Sequence, residues 1–393
     1  MRPLLRWMAA CTALCVVVGL SACTGATSPL PKTLKAVPAD AVLAVAISPN
    51  PSDAPIDLHP KGYIAFVGGS ANDFMKTPHQ GEQNVKLAFG RDGELAFTDK
   101  DAVHTFATSM TSRKRDSHSQ YGAFGTPYQL DDGSFAYLYN IGFGDSLTSY
   151  RYGMEFSGDH PGLTLPWTPA MGVCDGVLTG IRLIPNTADT QYESYRLFTI
   201  GADLKTIRYP GPATPFALFR NTQDGQVPCQ GGKLYIRRLW NADFPELRSH
   251  TPRFNNELTV LDVRTGRAHN IVMKYADGSP VRNGNSGDDI SVIHKGRYIW
   301  RSFKGEIYAT NITDGTTTMI VDTKLRGQQS NVTYANERIY ALDKGGKDSR
   351  GELRIYSLDT GSLLQTMATP AVDKAHDRSG DSAITGIAAR PDH

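Results

Sequence analysis

Apolar and polar positions alternate with a two-residue period over most of the chain, in short runs broken by Gly, Asn and Asp. That period puts apolar side chains on one face, which predicts half-buried strands. The pattern is clearest in residues 257–266, 306–315 and 352–361, which align without gaps from Glu257, Glu306 and Glu352 to Gly266, Gly315 and Gly361. Each reads as a strand running into a turn. The polar residues before each Gly favour the turn, and the Gly can take the positive φ that lets the next strand return.

A looser signature precedes these: an apolar strand, a turn, and a second apolar strand. It recurs with turns at 59–62, 91–93, 131–133, 174–176, 230–232, 294–296 and 335–337, followed by strands at 63–67, 94–98, 135–140, 177–184, 234–238, 298–303 and 338–342. No amphipathic helix is expected between them. One all-β domain over residues 39–393 follows, and its units resemble those of bacterial tandem-repeat β-propellers; they lack the dipeptides of the Trp-Asp repeat family, to which the chain is not assigned. The count predicts seven blades, with six or eight as the alternatives that the uneven spacing leaves. The stretch 383–392 reads as an inner strand with no following partner, so it should close the ring on a blade begun by residues 41–47.

The N-terminus sets the compartment. Arg2 and Arg6 precede an uncharged apolar run, too short to span a bilayer, that ends in Leu20-Ser21-Ala22-Cys23. This resembles the lipobox of bacterial lipoprotein signal peptides. The resemblance implies that residues 1–22 are removed and that Cys23 is lipidated, anchoring the protein at the extracytoplasmic face of the cell membrane. Residues 23–38, with Pro29, Pro31 and Pro38, then read as the lipidated Cys and a flexible tether.

Charge and cysteines narrow the function. The 41 Lys and Arg against 39 Asp and Glu balance once Arg2 and Arg6 leave with the signal, so the basic footprint that nucleic-acid binding needs is missing. The cluster Arg113-Lys114-Arg115 reads as a solvated loop, with contact to anionic headgroups as the alternative. Cys11 and Cys15 are lost with the signal, which leaves Cys174 and Cys229 as thiols. They stand at equivalent turns of consecutive units, where a disulfide is expected outside the cytoplasm, with two buried free thiols as the alternative. Neither has the neighbouring ligands of a metal site.

Candidate chemistry is sparse. Residues 143–147 resemble the nucleophile block of GDSL-type hydrolases, with Ser146 as nucleophile and Asp373 and His376 as the matching Asp-x-x-His. The strand-like residues after Ser146 and the missing Gly-x-Asn-Asp block favour a hairpin turn. The oxygen-rich stretch 283–289 could suit Ca²⁺ but reads as a polar inter-blade loop. Residues 131–135 are similar to the sialidase Asp-box yet lack its Ser and Thr, and read as a turn. No cofactor, metal or catalytic residue is expected.

The sequence thus points to a lipid-anchored extracytoplasmic propeller that binds an envelope protein, glycan or small ligand. A GDSL-type hydrolase using Ser146 and His376, and a non-catalytic envelope assembly scaffold, are the alternatives. The long connections 185–194, 240–256, 275–289 and 343–350 should share one face, with Trp240, Phe244, Arg248 and Phe254 as binding anchors.

Overall fold

The computed structural model describes residues 34–49, 62–68, 73–78, 85–99, 101–115, 126–143, 150–184, 192–211, 216–219, 221–222, 225–241, 254–282, 290–325, 331–345, 350–379 and 382–391. Its strands form seven sheets. β1 (Leu43–Pro49), β2 (Tyr63–Val67) and β3 (Phe74–Lys76) belong to blade 1. Blade 2 holds β4 (Leu87–Phe89), β5 (Leu95–Thr98), β6 (Ala102–Phe106) and β7 (Met110–Lys114). Blade 3 holds β8 (Tyr128–Gln129), β9 (Phe135–Phe143), β10 (Tyr150–Phe156) and β11 (Leu163–Pro166). In blade 4, β12 (Ala170–Cys174), β13 (Val177–Ile184) and β14 (Tyr192–Ile200) are flanked outside by β15 (Ile207–Arg208) and β16 (Phe216–Phe219).

Blade 5 has a broken inner strand. β17 (Asn221–Thr222) and β19 (Cys229–Gln230) both pair with β20 (Lys233–Asn241), while β18 (Gly225–Gln226), between them in sequence, pairs with β12 of blade 4. β21 (Phe254–Asp262) and β22 (Ala268–Val272) complete that blade. Blade 6 comprises β23 (Val292–His294), β24 (Arg297–Arg301), β25 (Glu306–Asn311) and β26 (Thr317–Asp322). Blade 7 comprises β27 (Val332–Ala335), β28 (Arg338–Asp343), β29 (Glu352–Ser357) and β30 (Leu363–Ala368). A helix, α1 (Pro370–Ser379), then leads to β31 (Ser382–Ala389), which pairs with β1 as the innermost strand of blade 1. The chain is an all-β seven-bladed β-propeller, closed by joining its last strand to its first.

The core is partitioned by the seams. Seven apolar clusters each join neighbouring blades. β2 shows how one strand serves two of them, because successive side chains point to opposite faces. Tyr63, Ala65 and Val67 face the blade 7 seam, and Ile64 and Phe66 face the blade 2 seam, so all five positions are buried. Outer strands are different: β30 is exposed at five of its six positions.

The three aligned segments are the third strands of blades 5, 6 and 7 with their turns. Gly266, Gly315 and Gly361 donate N–H to Asp262, Asn311 and Ser357 carbonyls, each at 2.9 Å. Gly315 and Gly361 sit at φ 78° and 70°. A Cβ there would lie 2.0 Å from the Val272 carbonyl oxygen and 2.1 Å from that of Ile320. The glycines are therefore required twice, by the backbone conformation and by the seating of each turn on the preceding blade's outer strand.

The structure corrects the sequence reading in four places. The unit ending at Gly62 is out of step with the other six, because β2 is a third strand and the inner strand of its blade comes from the other end of the chain. The helix was not expected. α1 buries only the small residues Ala371, Val372 and Ala375, too narrow a stripe to stand out, although Thr369 and Pro370 form a ready start, with the Thr369 carbonyl accepting from Val372 and Asp373 N–H. The stretch read as tether docks at its end: Val37 is buried and donates N–H to the Ala107 carbonyl at 2.8 Å, and Leu34 packs on the same core. Finally, the basic cluster is no solvated loop. Arg113 and Lys114 end β7, and Arg115, 5% exposed, bonds the Asp99 carbonyl and lies 3.7 Å over the Tyr139 ring.

Candidate functional site

The inner strands line an open cavity of about 350 Å³. It is lined by 87–89 of blade 2, 226–229 of blade 5, 290–293 of blade 6, Thr333 and Tyr334 of blade 7, and 387–389 of β31, with Thr126 leading into blade 3. Only the ring centre brings these elements together, so this is the axial channel. Among the described lining residues none is charged, and Thr126, Gln226, Ser291, Thr333 and Tyr334 supply its polar side chains. Such a channel suits an uncharged group or a narrow apolar tip more than an ion.

The blade 4–5 side of the channel is stitched. Where the inner strand of blade 5 leaves its sheet, β18 runs parallel to β12, and Val227 donates N–H to the Met171 carbonyl at 2.9 Å. Gly172 permits this approach, since a Cβ there would lie 2.3 Å from the Val227 carbonyl oxygen. Beyond it Cys174 and Cys229 are joined by a disulfide, with Cα atoms 5.2 Å apart.

In an antiparallel meander the first–second and third–fourth turns share one face of the ring, and the second–third and inter-blade connections share the other. β13 to β14, β20 to β21 and β28 to β29 are second–third connections, and β22 to β23 joins blades 5 and 6. All four long connections thus leave from one face. Trp240 and Phe254 hold adjacent places there, Trp240 paired with Asn255 and Phe254 with Asn241. Phe244 and Arg248 lie outside the described residues, as do 185–191, 283–289, Cys23 and Ser146.

On the opposite face two turn aspartates are held by hydrogen bonds. Asp359, in the blade 7 turn, accepts from Lys295 Nζ at 2.6 Å and His294 Nε2 at 2.8 Å of blade 6, and these bonds hold its carboxyl below the usual range. Asp203 accepts from the Thr206 hydroxyl and from the N–H groups of Thr206 and Lys205, which lowers its pKa to about 2.

Among the described residues, His376 with Asp373 and His104 with Asp99 and Ser112 are arrangements of catalytic residue types. His376 lies on α1, and Asp373, one turn before it, accepts the Gly351 N–H at 3.2 Å. The second was not foreseen in the sequence: His104 Nε2 donates to Asp99 Oδ2 at 2.8 Å, and His104 Nδ1 lies 2.8 Å from Ser112 Oγ. Asp99 and His104 are completely buried, and His104 stacks on Phe97 with ring centroids 4.7 Å apart. The other carboxylate oxygen of Asp99 accepts N–H from Asp101 and Ala102. These bonds clasp the β5–β6 turn to β7, the outermost strand of its blade. Hydrolysis would further need a cleft and an oxyanion hole beside the Ser112 hydroxyl. Among the described residues no group of His, Cys, Asp and Glu is placed to hold a metal ion.

No protein-family model matches the chain, and no curated protein matches it in sequence. Solved structures similar to it include the β-propeller domain of the Trilobed protease from Pyrococcus furiosus, 12% identical with a TM-score of 0.47 over 86% of this chain and 96% of that one. BamB from Moraxella catarrhalis is 13% identical, with a TM-score of 0.40 over 84% and 90% of the two chains. A mutant of Synechocystis apocarotenoid oxygenase is 8% identical, with a TM-score of 0.47 over 85% and 91%. All are distant in sequence, and the likeness is one of fold alone.

Proposed function

We propose that this chain is a non-catalytic binding module of the cell envelope, held by a lipid on Cys23 at the extracytoplasmic face of the membrane. A protein or glycan of the envelope is its partner, bound on the face that carries the long connections. The observation behind this reading is the topology: four long connections emerge on one face, while on the other, short hairpins hold Asp203 within its own turn and Asp359 against the neighbouring blade's turn. The disulfide supports an oxidising compartment. The lipobox-like motif supports the anchor.

Capture of partners from envelope extracts tests the assignment. Trp240→Ala together with Phe254→Ala should reduce recovery of the partner at least about tenfold, the scale of a binding hot spot. Lys205→Ala, in a hairpin turn of the other face, should leave recovery unchanged. Equal recovery by all three proteins, each checked for intact folding, would remove this face as the binding surface.

A further inference from the structure

Arg182 on β13 and Arg196 on β14 stand directly opposite each other across the antiparallel pair. Strand alternation puts them on the same face as Leu178, Phe198 and Ile200, which is the face turned toward blade 3. One ring joins them: the Arg182 guanidinium lies 4.2 Å and that of Arg196 5.0 Å from the centroid of Tyr209. Arg182 Nη1 donates to the Tyr209 hydroxyl at 3.0 Å. Like charges placed opposite each other in a sheet repel. Among the described residues neither guanidinium meets a carboxylate, and the Nε of each is buried without an acceptor. Elsewhere the protein does supply the acid, as where Arg238 meets Glu257 across the neighbouring strands of blade 5.

Among the described residues the outer edge of the sheet is uncovered here. The outer edge of β14 pairs with β16 at Tyr192–Tyr195 and with β15 at Thr199 and Ile200, and no described strand covers the stretch from Arg196 to Phe198 between them. Both arginines and Tyr209 are half-buried, so each reaches solvent. Arg182 lies toward the end of β13, beside the connection from blade 3 to blade 4, where the Trp167 carbonyl accepts Leu183 N–H at 3.0 Å.

We infer that Arg182, Arg196 and Tyr209 form an oxyanion site on the blade 3 side of blade 4, and that it takes a phosphoryl group. A carboxylate fills one guanidinium fork and brings one charge. A phosphoryl group brings up to two charges and enough oxygens to accept from both forks, with the Tyr209 hydroxyl as a further donor.

Calorimetric titration of the mature protein with inorganic phosphate, and separately with methyl phosphate, at ionic strength held constant with chloride, tests this. One site is expected, weakened at least tenfold in Arg182→Gln and in Arg196→Gln. The tighter of the two probes tells whether the natural ligand is a free phosphate or a phosphate monoester. Without phosphate, Arg196→Gln should melt no lower than wild type, since it removes one of two repelling charges, whereas an arginine with only a packing role would lower the melting temperature. No saturable binding by either probe, or binding unchanged in both variants, would overturn the proposal, and Arg196→Gln alone decides it should Arg182→Gln fail to fold.

Discussion

Deleting residues 382–393 should abolish cooperative folding of the propeller. β31 pairs with β1 along the whole of Leu43–Pro49 and is the inner wall of blade 1. Its side chains serve both seams: Ile387 packs toward blade 7 and Ala388 toward blade 2. Arg390 beyond it donates to the Pro38 and Ala39 carbonyls at 3.0 and 2.9 Å, and Asn336 of blade 7 donates to the Arg390 carbonyl. A buried strand with apolar residues on both faces contributes several kcal/mol, on the scale of the whole net stability of a domain at about 5–15 kcal/mol. Thermal melts and limited proteolysis of the truncated protein check this, with Ile387→Ala as a milder variant expected to cost about 3 kcal/mol. A truncated protein that melted in the same sharp transition as the full chain would show that the ring does not depend on this closure.

Reduction of the disulfide should cost the next largest amount. Cys174 and Cys229 are separated by 55 residues, and closing a loop of that length restricts the unfolded chain by about 4 kcal/mol. The bond also lies next to the place where the inner strand of blade 5 crosses to blade 4, so its loss would loosen a seam already interrupted by the detour of β18. Denaturant unfolding of the wild type with and without reductant should differ by roughly this amount, and the Cys174→Ser, Cys229→Ser double variant should match the reduced protein under both conditions. An unchanged midpoint on reduction would contradict the assignment.

What could be read in the sequence was what is local. Six of the seven turn units lie at first–second hairpins because strand, turn and strand are contiguous, and the glycines of blades 5 to 7 carry a conformational requirement visible in one sequence. The misplaced first unit has a non-local cause: blade 1 takes its inner strand from the far end of the chain, so a repeat count cannot assign strand positions within it. The broken inner strand of blade 5 was hidden because the pairing of β18 with β12 joins residues more than fifty positions apart. The Asp99–His104–Ser112 clasp and the Arg182–Arg196 pair depend on cross-strand register, which puts His104 opposite Ser112 and Arg182 opposite Arg196. No spacing rule along one strand reveals such pairs. The channel lining was equally illegible, since each blade contributes only a few residues to it.

The most direct measurement is the intact mass of the protein extracted from cell membranes and alkylated in denaturant without prior reduction. A lipid-anchored extracytoplasmic propeller should give a chain that begins at Cys23, carries a diacylglyceryl adduct, and has no alkyl group on Cys174 or Cys229. A chain that retains residues 1–22, or one alkylated at both of those cysteines, would contradict the account.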